Sequence, residues 1–493
     1  MIMKRLRLSL TSLAMALFLA GCAVGPDYQR PEVDVPDTYK EASLSPEAAR
    51  QWKLAQPAEA LARGDWWAIF KDPVLDKLES QAMLANQDLR VAAARVKQSR
   101  ALRRNAESGL FPSLDAGFGP MRQRQSNAAQ GLPDDAANSP QTLWRAQAGI
   151  SYEADLFGRI ASNVDASTAD AEQSVALFQS VRLALQADVA QAYFRIRRLD
   201  AEQDLYRRTV ELRGKTLELV QGRYDEGEIS ELDLARAKAA LSSASSQALG
   251  IERERAVAEH ALATLLGKTP AQFSLAPNPL ERMPVDIPAG LPSSLLERRP
   301  DIAAAERAMA AANARVGVAK AAFFPRLTLT GAFGYESSEL GNLLEWSSRT
   351  FLLGPLVGTV LTLPIFDGGR REAGLEKAKA VYEEDVATYR QTVLQAFREV
   401  EDGLSGLRIL KDQTQVQDEA VLQASRAAEL SQIQYREGSV SYLDVIDADR
   451  QVLVQQRASV ALDGERAQTA VALIRAIGGG WEAEQQLASR SEL

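Results

Sequence analysis

Side chains able to do covalent or metal chemistry are almost absent from this sequence. Among 493 residues there is one cysteine, Cys22, and one histidine, His260. A single thiol excludes an intrachain disulfide. A metal cluster or a His-dependent catalytic dyad would need more than one imidazole. His260 lies in the helical run Glu259-His260-Ala261-Leu262 and reads as a helix-surface residue. Carboxylates such as Glu153 and Asp155 fall in strand-like segments without a paired base, and no nucleotide loop or nucleophile motif accompanies them. The sequence therefore predicts neither an enzyme nor a bound metal or cofactor. Composition is that of an ordered, acidic chain: 46% hydrophobic, 6% aromatic, formal net charge −8. Its charges are interspersed, as on solvated helix faces, and no basic tract offers itself to nucleic acid.

Cys22 is the one residue whose setting predicts chemistry. Lys4-Arg5-Leu6-Arg7 is followed by an apolar stretch from Leu8 to Leu19, too short for a stable span and suited to a signal peptide over residues 1–21. Losing Lys4, Arg5 and Arg7 with it takes the net charge from −8 to about −11. Leu19-Ala20-Gly21-Cys22 resembles the bacterial lipobox, in which the thiol accepts diacylglycerol; a lone core cysteine is the alternative. By resemblance to bacterial lipoproteins, Ala23 after the cysteine favours the outer membrane. Several acyl chains on one residue anchor firmly where one would be marginal. No other apolar run reaches the roughly 18 residues of a transmembrane helix. If the chain crosses a bilayer, it does so with strands.

The elements that would position these groups come in two sets. Asn86-Gln87-Asp88-Leu89 returns as Arg299-Pro300-Asp301-Ile302, and Leu110-Phe111-Pro112 as Phe323-Phe324-Pro325. Leu156-Phe157-Gly158-Arg159 returns around Ile365-Phe366-Asp367-Gly368-Gly369-Arg370. Tyr224-Asp225-Glu226-Gly227 with Leu232-Asp233 returns as Tyr435-Arg436-Glu437-Gly438 with Leu443-Asp444. All offsets lie near 210 residues and in one order, which predicts an internal duplication. The repeats divide the chain into a lipidated extended segment (22–72), a first repeat (73–280), a second (281–478) and a tail (479–493).

Each repeat opens with a helical stretch (about 74–109, then about 293–322) that Phe-Pro breaks. Segments alternating apolar and polar follow, in hairpins of about 111–156 and about 325–366. Leu114, Ala116 and Phe118 share one parity, as do Leu327, Leu329, Phe333 and Tyr335; residues 351–366 alternate least cleanly. Strands of this kind suit an outer-membrane β-barrel or an ordinary half-buried hairpin. Next, Leu185, Val189, Ala192, Ile196 and Leu199 step four, three, four, three, and Val393, Phe397, Val400, Leu404 and Leu407 repeat the pattern. That spacing predicts proline-free coiled-coil helices about 100 Å long. Each ends at a glycine, Gly227 or Gly438, and turns into a return helix of about 37 residues. Four strands cannot close a barrel alone, and open edges are not tolerated in lipid, so copies must share one barrel.

With these features the sequence resembles the TolC-like outer-membrane factors, in the lipoprotein branch serving resistance-nodulation-division pumps. The matching residues are Gly25-Pro26-Asp27-Tyr28, Trp66-Trp67-Ala68-Ile69-Phe70 with Asp72-Pro73, Glu297 to Ile302, Ala312 to Pro325, Pro364 to Arg370, and Tyr435 to Asp447. The resemblance implies an α+β membrane protein: a homotrimer with a 12-stranded β-barrel, four strands per protomer. A long antiparallel coiled-coil α-barrel continues it into the periplasm, with an equatorial domain drawn from residues near 269–292 and both termini. It implies an aspartate-lined constriction at the periplasmic tip, matching Asp444 and Asp447, with Asp233 as a further acidic position. The alternative for Asp444 is a helix N-cap, and for Asp447 a first-turn charge. Some relatives carry a basic latch residue two past the tip glycine; Val440 and Ile229 stand there, leaving Arg436, Arg223 and Arg236 as candidates. The tips, with Tyr224, Gly227, Tyr435 and Gly438, would dock a periplasmic adaptor (membrane-fusion) protein beneath an inner-membrane pump. The implied function is passive efflux of drugs or other small toxic solutes across the outer membrane of a Gram-negative bacterium. The alternatives are the duct of a type I protein-secretion system or a non-channel coiled-coil lipoprotein scaffold.

Overall fold

The computed structural model describes residues 24–33, 36, 39–41, 65–282, 299–353 and 361–479. The signal segment, Cys22 and residues 480–493 lie outside the described residues. Helix α1 (Pro73–Ala85) starts where the Asp72 side chain accepts the Val74 and Leu75 N–H groups at 2.9 and 3.3 Å, with proline in its first turn. The single helix expected over 74–109 is broken at Asn86. That residue is extended, and its Oδ1 caps α2 (Gln87–Ser108) by accepting from Leu89 N at 2.9 Å. Asparagine competes for backbone groups inside a helix and is at home as a cap.

Strands β1 (Ser113–Gln123) and β2 (Gln141–Ala154) form the first hairpin. Strand β3 (Arg326–Ser337) pairs with β2, and β4 (Arg349–Leu353) and β5 (Leu361–Thr362) both pair with β3. Every pairing is antiparallel. The segment that alternates least cleanly is the one split between β4 and β5, and residues 354–360 between them lie outside the described residues. Asp155, expected within a strand, lies just past β2 and accepts the Ala161 N–H at 2.7 Å in the first turn of the next helix.

That helix, α3 (Arg159–Asp225), has 67 residues, and its return, α4 (Glu231–Leu265), has 35. After α5 (Pro300–Ala321) and the second strands, α6 (Arg370–Arg436) and α7 (Tyr442–Ala476) again have 67 and 35. Of the expected stripes, Leu185, Val189, Ile196, Leu199, Val393 and Val400 are buried. Ala192, Phe397, Leu404 and Leu407 are half-buried.

Two compact units draw on both halves of the chain. One comprises the described residues within 24–32, 96–174 and 305–389 and contains the sheet. In it the segment 24–32 is held by Asn313 Nδ2 donating to the Pro26 carbonyl (2.9 Å) and by Arg30 Nε donating to the Tyr389 hydroxyl (3.0 Å). The other comprises residues 33–95, 175–304 and 390–493. There Trp66, Trp67 and Phe70 are buried; Trp66 Nε1 donates to Gln186 Oε1 at 3.2 Å, and the Phe70 ring meets that of Phe194 edge-on at 4.9 Å. The Trp-Trp run is packing.

Candidate functional site

Register sorts the sheet into two faces. Leu114 pairs with Ile150, Phe118 with Ala146, Ala148 with Phe333, Tyr152 with Leu329, Phe333 with Phe351 and Leu327 with Leu361. Directly paired residues share a face, so apolar side chains from every strand line one side. Leu114, Phe118, Ile150, Leu329, Phe333, Phe351 and Leu361 are all exposed there. The opposite face carries Asp115, Gln147, Ser151, Glu153, Thr328 and Thr330, with Arg145 paired to Glu336 across strands at 2.5 Å. Glu153 accepts a bidentate pair of bonds from Arg159 at 2.8 Å each. Among the described residues no helix is long and apolar enough to cross a membrane. The strands display a continuous apolar face, and such faces mark contact with lipid or protein.

The second locus lies at the paired tips. Gly227 and Gly438 take positive φ, 77° and 75°. Their N–H groups donate to Tyr224 and Tyr435 carbonyls, and the next residues, Glu228 and Ser439, reach back to Arg223 and Gln434 at 2.9 Å. Both ends are the same left-handed helix stop, which requires glycine. Behind the turns, Val220, Leu234, Ala237, Tyr442 and Val445 form a buried cluster, with Leu217, Ile229, Tyr435 and Ile446 packed on it. Ile229, two residues past the Gly227 turn, packs against this small core.

The three expected aspartates differ in setting. Ser441, not Asp444, is the N-cap of α7: Asp444 sits at the third position and completes a capping box, accepting from Ser441 N (2.9 Å) and Ser441 Oγ (2.7 Å). Those bonds, the hydroxyl's first, hold its carboxyl below the usual range. Asp233 is half-buried and takes bonds from Ser230 Oγ (2.9 Å) and Arg236 (3.5 Å). Asp447 is exposed and has no partner among the described residues. Of the latch candidates, Arg236 is occupied by Asp233, and Arg436 is exposed without a described partner. Arg223 bonds Glu228 at 2.9 Å and also reaches Tyr435 in the other tip.

Asp449 and Asp200 escaped the sequence reading. Asp449 extends the buried stripe of Tyr442 and Val445 by four residues, accepts from Gln432 Nε2 at 3.3 Å, and is pushed up by burial despite Arg213 nearby. A polar residue at an apolar stripe position was the signal for it. Farther along, Asp200 has no exposed side-chain surface and takes Arg255 (2.6 Å), Arg197 (3.1 Å) and the Asn278 N–H (2.9 Å). The same arginines bond the Leu275 and Ala276 carbonyls, at 2.7 and 2.8 Å, so this cluster clasps the proline-rich segment onto α3 and α4.

Known proteins share this arrangement. The sequence pattern of the outer membrane efflux protein family matches residues 78–268 and again 291–479. The toluene efflux pump outer membrane protein TtgF of Pseudomonas putida is 34% identical over 479 residues, covering 96% of each chain. The cation efflux system protein CusC of Escherichia coli is 31% identical over 471 residues, covering 95% of this chain and 98% of CusC. The solved outer-membrane channel OprN superposes with a TM-score of 0.83 at 30% identity, covering 93% of this chain and all of OprN.

Proposed function

Since this chain belongs to the outer membrane efflux protein family, we propose that three copies pool their strands into one 12-stranded barrel above a coiled-coil tube. The protein is the outer-membrane channel component of a tripartite efflux system. Solutes handed up by an inner-membrane pump through a periplasmic adaptor leave through its lumen. The observation that carries the trimer is the sheet: one face predominantly apolar, the other predominantly polar, and the outer edges of β1 and β4 unpaired among the described residues. In lipid such edges must be closed by neighbouring copies. Equal pairs of helices, 67 and 35 residues in each half, support an internal duplication. TtgF and CusC are named for an aromatic solvent and a cation respectively. The duct conducts what the pump selects, among drugs and other small toxic solutes.

Threefold symmetry would make rings of Asp444 and Asp447, with Asp233 beside them, at the tip. Crowded carboxylates attract cations and give a cation-preferring constriction. Cys22 carries the lipid. Val24, two residues on, donates to the carbonyl of Phe157, just past β2, at 3.5 Å, so the anchor would enter the bilayer beside the strands. The deciding experiment is purification in detergent followed by planar-bilayer recording. A trimer with small, cation-preferring conductance is expected, and a monomer without conductance overturns the assembly. A Cys22→Ala protein should lose its acyl label; continued labelling removes Cys22 from the anchor.

A further inference from the structure

The connection between β3 and β4, residues 338–348, displays Leu340, Leu344 and Trp346 at 52%, 74% and 80% exposure. It is a built loop. Leu343 is buried at 4% exposure, Ser348 Oγ donates to the Asn342 carbonyl at 2.7 Å, and Asn342 Nδ2 to Glu339 Oε2 at 3.0 Å. Glu345 carries the loop's other negative charge. The three large apolar side chains are therefore held out on a fixed frame rather than on a slack tether.

Arg349, the first residue of β4, fixes which side this frame favours. It pairs with Tyr335, two residues from the Phe333–Phe351 pair, so it lies on the apolar face of the sheet. Its Nε donates to the Trp346 carbonyl at 3.1 Å, and its guanidinium lies over the Trp346 ring. An indole covered by a cation thus rims the apolar face at the strand end opposite to α5 and α6. Trp and Arg in that position are what the headgroup boundary of a bilayer selects: the ring takes the acyl edge, and the long cationic side chain reaches a phosphate.

Resting on the channel reading above, we infer that this loop is an interfacial anchor seated in the outer leaflet. Trp346, Leu340 and Leu344 lie at the acyl–headgroup border, and Arg349 faces lipid phosphate. Continuity with the apolar strand face selects lipid as the occupant over a second copy or a soluble partner.

The test uses the full-length protein in phosphatidylcholine vesicles brominated either near the carbonyl end or near the methyl end of the chains. The emission that wild type has and Trp346→Phe lacks should be quenched more by shallow than by deep bromines. A Leu340→Ser/Leu344→Ser variant should lose most of that quenching, while conductance stays at the wild-type value. A Trp346 component untouched by either bromolipid overturns the anchor: quenching by aqueous acrylamide then places the ring in water, and protection from both places it against protein. Conductance recorded on the same vesicles reports separately whether the channel reading stands.

Discussion

Arg223 Nη1 donates to the Tyr435 hydroxyl at 3.0 Å, and its guanidinium lies 5.3 Å from the centre of that ring. The two residues are 212 positions apart and belong to the two tip turns of one protomer. This contact ties the tips together where Val440 and Ile229 offer no charge. Tyr435→Phe removes the bond and keeps the ring; the donor is a charged guanidinium, but it sits at a solvent-screened tip, so a loss of about 1 kcal/mol and a rise of about fivefold in the open fraction are expected. Arg223→Ala also removes the cation over the ring and should raise it about tenfold or more. Single-channel open probability decides. Unchanged gating in both variants would free the pair of any latch role.

Asp444 and Asp447 should separate by experiment, because only Asp444 is built into a helix cap. Asp447→Ala should weaken cation preference and leave thermal stability unchanged, whereas Asp444→Ala should alter both. Ser441 holds the Asp444 carboxyl low in the folded protomer. The stability it lends is therefore present above the unfolded aspartate pKa and lost as pH falls through the lower folded value. Bilayer reversal potentials of Asp447→Ala identical to wild type would remove that residue from the constriction.

Asp200→Ala would leave Arg197 buried without a carboxylate partner and Arg255 with Glu259 alone. Removing one partner from such a cluster costs about 3–5 kcal/mol. Hydrogen exchange at Leu275, Asn278 and Leu280 should speed up together with the loss of thermal stability. Wild-type exchange in this segment would show that the clasp is dispensable.

Glu79 is fully buried, and neither of its carboxylate oxygens has a partner among the described residues. Burial, with Asp65 and Asp76 adding repulsion, pushes its pKa up to about 9. A carboxyl raised on folding costs nothing while both states are protonated, and stability then falls as pH rises from the unfolded value toward the folded one. Glu79→Gln should abolish that slope, about 1.4 kcal/mol per pH unit, and melt higher than wild type at pH 8 but not at pH 4. Parallel melting curves across that range would mean the folded protein accommodates an ionised Glu79.

Strong periodicity made most of the architecture readable from residues alone. Leu327, Leu329, Phe333 and Tyr335 announced β3 because a surface wet on one side and apolar on the other forces a period of two. Gly227 and Gly438 announced the tips because only glycine sits cheaply at their φ. Asn86 was hidden: it lies within a helical run and reveals itself as a cap only through its bond to Leu89. Glu79 is hidden because it adjoins Leu78 on the buried face of Leu75, Leu78 and Ala82, where helical periodicity alone does not separate an inward from a flanking polar residue. The bond from Arg223 to Tyr435 links distant segments and has no local pattern at all.

The margins of β1 and β4, unpaired among the described residues, also have a genetic meaning. If three copies share one barrel as proposed, a subunit whose margin is spoiled, by proline for instance, would damage the two sound subunits it joins. In a cell making intact and spoiled copies equally, random mixing would leave roughly one trimer in eight free of the defect. Alleles of this kind should behave as dominant, while alleles that abolish synthesis should be recessive.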